Sequence, residues 1–188
     1  MKVRKIYVGV DVGAKGGIFA MDQDRNVILK KAVPENADGV DYAELLRIFK
    51  SIRQLSNGMA PLDVDTQYIA VIEDVHSLFG MSAKSNFSFG HIKGVKEAMM
   101  LALNYEYKLI PPKTWQKQVW IEDDMVDAIN PKTGKSKKDT KATSLNAAER
   151  LFPYEDFRKN ERCKVAHDGI VDAALMADYA LSVDDDEF

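Results

Sequence analysis

The sequence predicts an α/β fold, and two observations carry this prediction. Short β-branched apolar runs recur along the chain, with the length of strands rather than helices. After the third run, they alternate with segments whose apolar residues recur at helical spacing. We expect the first three strands to form an antiparallel meander. The predicted strands are 4–10, 17–21, 27–31, 67–73 and 107–110, and the predicted helices are 41–55, 87–104, 137–151 and one from about 167, with a helical turn at 111–120.

The first strand ends in an acid and a glycine-rich turn. Asp11 follows the run 6–10, and Gly13, Gly16 and Gly17 let the chain fold back into the second strand. A buried carboxylate there needs a cation or another partner. Three interpretations stay open at this point: a metal-binding acid of a nuclease, the phosphate-binding turn of an actin-like or sugar-kinase-like ATPase, and a hairpin with one solvated acid at its rim.

Composition indicates a globular protein of ordinary make-up. The chain has 188 residues, 46% of them hydrophobic, a net charge of −3 and one cysteine, Cys163. One domain over 1–183 is expected, and the single cysteine and the lack of a signal-like or membrane-spanning run indicate a cytoplasmic protein without membrane partners. We expect a disordered acidic tail at 184–188 and a mobile insertion at 121–138.

Two acids are expected to meet at one edge of the sheet. Glu73 ends the fourth strand as Asp11 ends the first. If the helix between them makes these strands parallel, both side chains emerge where ligands bind in such sheets. Two carboxylates that converge there repel each other unless a cation lies between them.

The last helix carries two further acids. Asp168 and Asp172 are four residues apart and therefore share one face. The surrounding residues 170–177 are strongly apolar, which predicts a helix buried on most sides. Acids on such a helix need a cation or a basic partner, so a divalent metal is favoured over a solvated surface pair.

These acids together predict a two-metal hydrolytic site. Hard oxygen ligands suit Mg²⁺, and two such ions can activate a water and stabilise the leaving oxygen of a phosphodiester displacement. The predicted ligands and catalytic residues are Asp11, Glu73, Asp168 and Asp172. No Walker-type phosphate loop is present.

The chain resembles the RuvC-like Holliday junction resolvases, especially the compact versions found in bacteriophages. Each motif is short, but their order and spacing cover most of the chain. The motifs are 9–13 with Gly17, 72–75, 80–82, 86–90 with Gly94, Pro112 with Trp115, 138–139 leading to Ala148, 151–153, and 167–175.

The resemblance implies an RNase H-like fold, with a mixed five-stranded sheet flanked by helices. It also implies a homodimer that binds four-way DNA junctions and nicks them in pairs, using two Mg²⁺ ions or Mn²⁺ in their place. Asp11, Glu73 and Asp172 match the family's metal-binding acids. The fourth acid of the bacterial enzymes falls on Gly169, so Asp168 is its substitute, with His167 as a second-shell or proton-transfer residue.

The sequence departs from the bacterial pattern at two DNA-contacting positions. His76 stands where those relatives carry a junction-wedging aromatic residue, which leaves Phe79, Phe87 or Phe89 for stacking. Gln116 replaces a family lysine. The predicted DNA contacts are Lys113, Lys117, Lys135, Lys137, Lys138, Lys141, Phe79 and Phe87.

Other functions remain open from the sequence. They are a less selective nuclease acting on flaps or forks, a junction-binding scaffold with a dead site, and an actin-like ATP-binding domain built on the Asp11 turn.

Overall fold

A mixed five-stranded sheet forms the centre of the structure, a computed structural model that describes residues 3–59, 65–75, 82–130 and 134–187. The strands lie in the order β3-β2-β1-β6-β7. Neighbours β1, β2 and β3 are antiparallel, whereas β6 is parallel to both β1 and β7. The predicted meander and parallel fourth strand are thus confirmed. The strands are β1 Val3–Val10, β2 Gly17–Asp22, β3 Val27–Ala32, β6 Asp65–Glu73 and β7 Glu106–Ile110, with short hairpin strands β4 Glu35–Asn36, β5 Gly39–Val40, β8 Asp127–Ile129 and β9 Ser136–Lys138.

Helices cover both faces of this sheet, as expected for an RNase H-like fold. Alternate residues of β1 point to opposite sides, with Tyr7 in one apolar cluster and Ile6 and Val8 in the other. The Tyr7 cluster includes residues of α3, α4 and α5, and the other cluster includes residues of α1 and α2. None of the described helices is long and apolar enough to cross a bilayer. The helices are α1 Tyr42–Met59, α2 Ala83–Ala102, α3 Pro112–Val119, α4 Thr140–Leu151 and α5 Asp168–Glu187.

Helix α5 lies against the backbone of β1 and β2 because glycines face it. A β-carbon on Gly9 would stand 1.8 Å from the carbonyl oxygen of Ala173, and one on Gly17 would stand 2.2 Å from that of Gly169. Both neighbours are backbone atoms, which a side-chain rotation cannot move aside. These glycines therefore set how closely the acid-bearing helix approaches the sheet.

Gly9→Ala is expected to destabilise the protein by at least about 2 kcal/mol, because the added methyl group must push α5 off the sheet. For a chain of this size, that lowers the melting temperature by roughly 4–8 °C. Gly58→Ala is the matched control, since Gly58 lies within α1 with nothing within 4 Å of the added carbon. This control should gain up to about 1 kcal/mol from helix propensity. Thermal unfolding followed by circular dichroism measures both, and equal shifts would contradict the close-packing argument.

The structure differs from the expected acidic tail at 184–188. Helix α5 continues to Glu187, and Asp184 is 6% exposed. Its carboxylate accepts a hydrogen bond of 2.9 Å from the Tyr7 hydroxyl and forms an ion pair with Lys5. Asp184 therefore fixes the end of α5 to β1, because a basic and a hydroxyl partner compensate its burial.

The expected insertion at 121–138 contains a 3-10 turn at Glu122–Asp124 and the β8–β9 hairpin. Asp124 is buried and accepts hydrogen bonds from the Arg150 guanidinium at 3.0 and 2.8 Å. This ion pair joins the base of the segment to α4. Helix α4 begins at Thr140 rather than at 137 because residues 136–138 pair with β8 and the Asp139 side chain caps the helix.

Candidate active site

The parallel pairing of β1 and β6 brings two predicted site acids to one edge of the sheet. Val10 is the register partner of Ile72, so Asp11 and Glu73 follow at corresponding positions. The Gly13 N–H donates to Asp11 Oδ1 at 2.9 Å, which orients the first carboxylate within its turn. The expected convergence of these two strand ends is therefore present in the described part of the chain.

Asp172 joins them from α5. The Ser144 side chain of α4 lies near enough to its carboxylate to lower the pKa of Asp172, and this carboxylate repels both Asp11 and Glu73 electrostatically. A small cleft beside it is lined by residues of α3, α4 and α5, namely Gln116, Thr140, Lys141, Ser144, Asp168, Val171 and Asp172. Three acids from three elements thus form one cluster, defined here as Asp11, Glu73 and Asp172.

Burial and mutual repulsion dominate the electrostatics of this acid cluster. Burial raises the pKa of Glu73 to about 7, and the charges of Asp11 and Asp172 add to the rise. Burial likewise raises the pKa of Asp172 to about 7 and raises the pKa of Asp11 above its usual range. Full ionisation of the cluster is therefore unfavourable unless a cation compensates the carboxylates.

The donor set fits a hard divalent ion such as Mg²⁺, because all three members offer carboxylate oxygens. Within residues 3–59, 65–75, 82–130 and 134–187, however, no three acidic, histidine or cysteine side chains are arranged as a ready metal cage. The cluster is therefore a set of repelling neighbours rather than a preformed coordination sphere.

Glu73→Gln is expected to stabilise the protein in EDTA at about pH 8 by roughly 1–3 kcal/mol, and to have little effect near pH 5. Folding raises the pKa of Glu73 from 4.5 to about 7, so the folded state binds the proton more tightly than the unfolded chain does. The free energy of unfolding therefore falls as pH rises through that interval, and the neutral amide removes the loss. Urea unfolding of both proteins at each pH measures the difference, and a pH-independent difference would contradict the assignment.

Asp168 lies beside the acid cluster but is exposed and forms an ion pair with Lys141. It is nevertheless close enough to both Asp11 and Asp172 to repel them. His167 precedes α5, donates its backbone N–H to the Phe157 carbonyl at 2.8 Å, and attracts the Asp11 carboxylate. Both residues thus lie beside the acid cluster, and their predicted roles as metal ligand and proton-transfer residue stay predictions.

The position of Asp168 has a steric reason. A β-carbon at Gly169 would lie 2.5 Å from the backbone carbonyl carbon of Gly16. Gly16 and Gly169 also form a parallel bridge. No side chain fits at 169 in this packing, so an acid near the start of α5 has to stand on an adjacent position.

The sequence interpretation missed Lys96 of α2. This lysine is fully buried, and its ammonium donates to the carbonyl oxygens of Asp11 at 2.7 Å and Gly13 at 3.3 Å. Burial lowers its pKa to about 8, against the opposing attraction of Asp11. The signal was available, because Lys96 falls at four-residue spacing between Ile92 and Met100 on the buried face of the helix.

Trp115 of α3 is a second neighbour that the sequence left without a role. The indole is fully buried, and its N–H lies near enough to Glu73 to lower the pKa of that carboxyl. Indole Nε1 makes no hydrogen bond of standard geometry. Trp115 therefore lies buried beside Glu73, where its N–H favours the ionised form of that carboxyl.

The predicted DNA contacts lie on several elements around α3 and α4. Lys113 and Lys117 are exposed on α3, and Lys141 is exposed on α4. The hairpin and the segment before β9 carry exposed Lys135, Lys137 and Lys138, and the Lys138 ammonium lies 5.6 Å from the centre of the Trp120 ring.

The aromatic candidates behave differently from one another. Phe87 is 79% exposed near the start of α2, whereas Phe89 packs against the apolar cluster beneath that helix. Phe79 and His76 lie outside the described residues. Of the predicted aromatic candidates within the described residues, Phe87 is therefore the exposed one.

Comparison with known proteins gives a structural likeness only. No protein-family model and no curated protein matches the sequence. The structure of Thermus thermophilus RuvC in complex with Holliday junction substrate matches with a TM-score of 0.56 and 9% identity, over 96% of this chain and 95% of that one. A second T. thermophilus RuvC structure matches at 11% identity with the same TM-score and coverage. The predicted RuvC-like, RNase H-like fold is thereby confirmed, and the bacteriophage type stays a prediction.

Proposed function

We propose that this protein is a metal-dependent endodeoxyribonuclease that resolves four-way junctions and related branched DNA by paired nicks. The observation that carries the proposal is the meeting of Asp11, Glu73 and Asp172 at the carboxyl edge of the sheet, where burial and repulsion raise the pKa of each. Support comes from the shared fold with RuvC, whose solved complex contains a Holliday junction substrate.

The acid cluster would hold two Mg²⁺ ions, or Mn²⁺ in their place, with Asp168 as the fourth ligand. When bound, these ions supply the charge that activates a water and stabilises the leaving oxygen of an in-line phosphodiester displacement. The Gly13 N–H orients the Asp11 carboxylate, and the Ser144 side chain lies beside Asp172 in the same cleft. His167, which precedes α5, would carry a proton.

Exposed lysines on α3, α4 and the β8–β9 hairpin would contact DNA phosphates. Such contacts give affinity that falls with salt and carry little sequence information. Recognition would therefore depend on branch shape, with Phe87 stacking on an unpaired base at the branch.

A homodimer would place two such sites on one junction. The exposed face of α2 is the proposed contact, because Leu101 is 64% exposed there. Gly90 and Gly94 have nothing within 4 Å of an added β-carbon, which leaves room for close approach of a second helix. Sedimentation velocity measures the mass directly, and a monomer at micromolar concentration would remove the dimer from the proposal.

The deciding experiment compares an end-labelled four-way junction with its matching linear duplex, in Mg²⁺ and in EDTA. We expect symmetric nicks on the junction alone, abolished by EDTA. Cleavage of both substrates would agree with the metal mechanism but indicate a less selective nuclease. Cleavage of neither, together with measurable ATP binding, would replace the proposal with an ATP-binding function for the Asp11 turn.

A further inference from the structure

Lys96 is a charged side chain placed where packing alone calls for an apolar one. It is 0% exposed and lies between Ile92 and Met100 on the buried face of α2. A buried ammonium is costly unless hydrogen bonds and nearby opposite charge compensate it. Among the described residues, the compensation comes from the turn that carries Asp11.

That turn is held by its own hydrogen bonds as well. The Asp11 N–H donates to the Gly17 carbonyl at 3.0 Å, and the Gly16 N–H donates to the Gly13 carbonyl at 3.0 Å. The Gly13 N–H holds the Asp11 carboxylate at 2.9 Å. These bonds fix the N–H side of the turn and the carboxylate, but they leave the Asp11 carbonyl oxygen to another donor.

Lys96 supplies that donor. Its ammonium reaches the Asp11 carbonyl at 2.7 Å and the Gly13 carbonyl at 3.3 Å, so one side chain spans the residues on both sides of Val12. The same charge attracts the Asp11 carboxylate, which is otherwise repelled by Asp168. The lysine therefore opposes the outward displacement of Asp11 that crowded like charges favour.

We propose that Lys96 is a positioning residue, which fixes the Asp11–Gly13 turn so that the Asp11 carboxylate keeps its place in the acid cluster. The inference rests on the proposed nuclease function of that cluster. Lys96 acts through Asp11 and does not touch the substrate. It also ties the Asp11 turn to α2, the helix whose opposite face is the proposed dimer contact.

The test is Lys96→Met, a side chain of similar length without charge or donors. Hydrogen–deuterium exchange of a peptide spanning 11–17 should become at least about tenfold faster, because the turn loses its carbonyl anchor. At saturating Mg²⁺, kcat for junction cleavage should fall by about 10- to 100-fold, the effect expected of a misplaced catalytic group. Junction affinity measured in EDTA should change by less than about twofold, since Lys96 makes no contact with DNA.

Lys30→Met is the control for the loss of a lysine that is only partly exposed. Lys30 lies on β3, away from the Asp11 turn, and forms an ion pair with Glu155. This variant should lower the melting temperature without changing kcat or the exchange of 11–17. If Lys96→Met does not fold, Lys96→Gln replaces it. Glutamine keeps N–H donors but is one bond shorter, so exchange of 11–17 should be faster and kcat lower than in the wild-type protein.

The outcomes separate the two claims. If the wild-type protein cleaves junctions and the position 96 variant cleaves equally fast with a protected turn, the positioning role is wrong and the nuclease function stands. If the wild-type protein cleaves no branched DNA, the proposed function fails and the catalytic role of Lys96 fails with it, whatever the exchange rates. A fall in kcat with slow exchange would also overturn the inference, because the turn would then not depend on Lys96.

Discussion

Asp11→Asn is expected to lower the rate of junction cleavage by at least about a thousandfold, while junction binding in EDTA stays within about twofold of wild type. Asparagine keeps the size of the side chain and an oxygen that can accept the 2.9 Å hydrogen bond from the Gly13 N–H. The turn should therefore survive. The change removes one negative charge from a cluster whose proposed task is to hold two divalent ions.

Gel assays under single-turnover conditions separate the chemical step from binding and product release. Asp156→Asn is the matched control, because Asp156 is an exposed acid whose partner is Arg158 on the same loop. It should cleave at the wild-type rate. Retained cleavage by Asp11→Asn would contradict the metal mechanism, because that mechanism requires the Asp11 carboxylate.

Gly169→Asp is expected to destabilise the protein by about 3 kcal/mol or more, even though it restores the acid spacing of the bacterial enzymes. The added β-carbon would stand 2.5 Å from the Gly16 carbonyl carbon and 2.8 Å from the Gly17 nitrogen, and all of these contacts are with backbone atoms. The start of α5 would have to move away from the Asp11 turn, which also displaces Asp172.

The informative comparison is with Asp168→Ala, alone and combined with Gly169→Asp. We expect Asp168 to replace the family's fourth acid because Gly169 cannot carry a side chain. The double variant should then cleave junctions as poorly as Asp168→Ala, and it should be less stable than Asp168→Ala. Thermal unfolding and junction cleavage report the two effects separately. Recovery of cleavage in the double variant would show that position 169 tolerates an acid and that the steric argument is wrong.

Most of the sheet could be predicted because its signals are local. Short β-branched runs marked β1, β2 and β6, and the helix between β3 and β6 was assumed to make β6 parallel to β1. The meeting of Asp11 and Glu73 followed from that pairing, and the register of Val10 with Ile72 agrees with it. The place of Asp172 followed from its face on an apolar helix.

The rest depended on contacts that are distant in sequence. Asp124 holds the segment after α3 through Arg150, twenty-six residues later, and the prediction of a mobile insertion at 121–138 did not include this ion pair. Asp184 is compensated by Lys5 and Tyr7, at the other end of the chain. Lys96 escaped notice because lysines are almost never fully buried, although its position in the Ile92–Met100 stripe contradicted that expectation.

The ion pair between Lys141 and Asp168 affects how the ionic-strength dependence of DNA binding should be interpreted. A lysine that meets a phosphate usually displaces a condensed cation, and the logarithm of the binding constant then falls with the logarithm of salt by about 0.9 for each such contact. Lys141 would first have to leave the exposed carboxylate of Asp168, which would then attract a salt cation. When Lys141 exchanges the Asp168 carboxylate for a phosphate, the slope of log binding constant against log salt would hardly change. The number of phosphate contacts derived from that slope would therefore be about one too small.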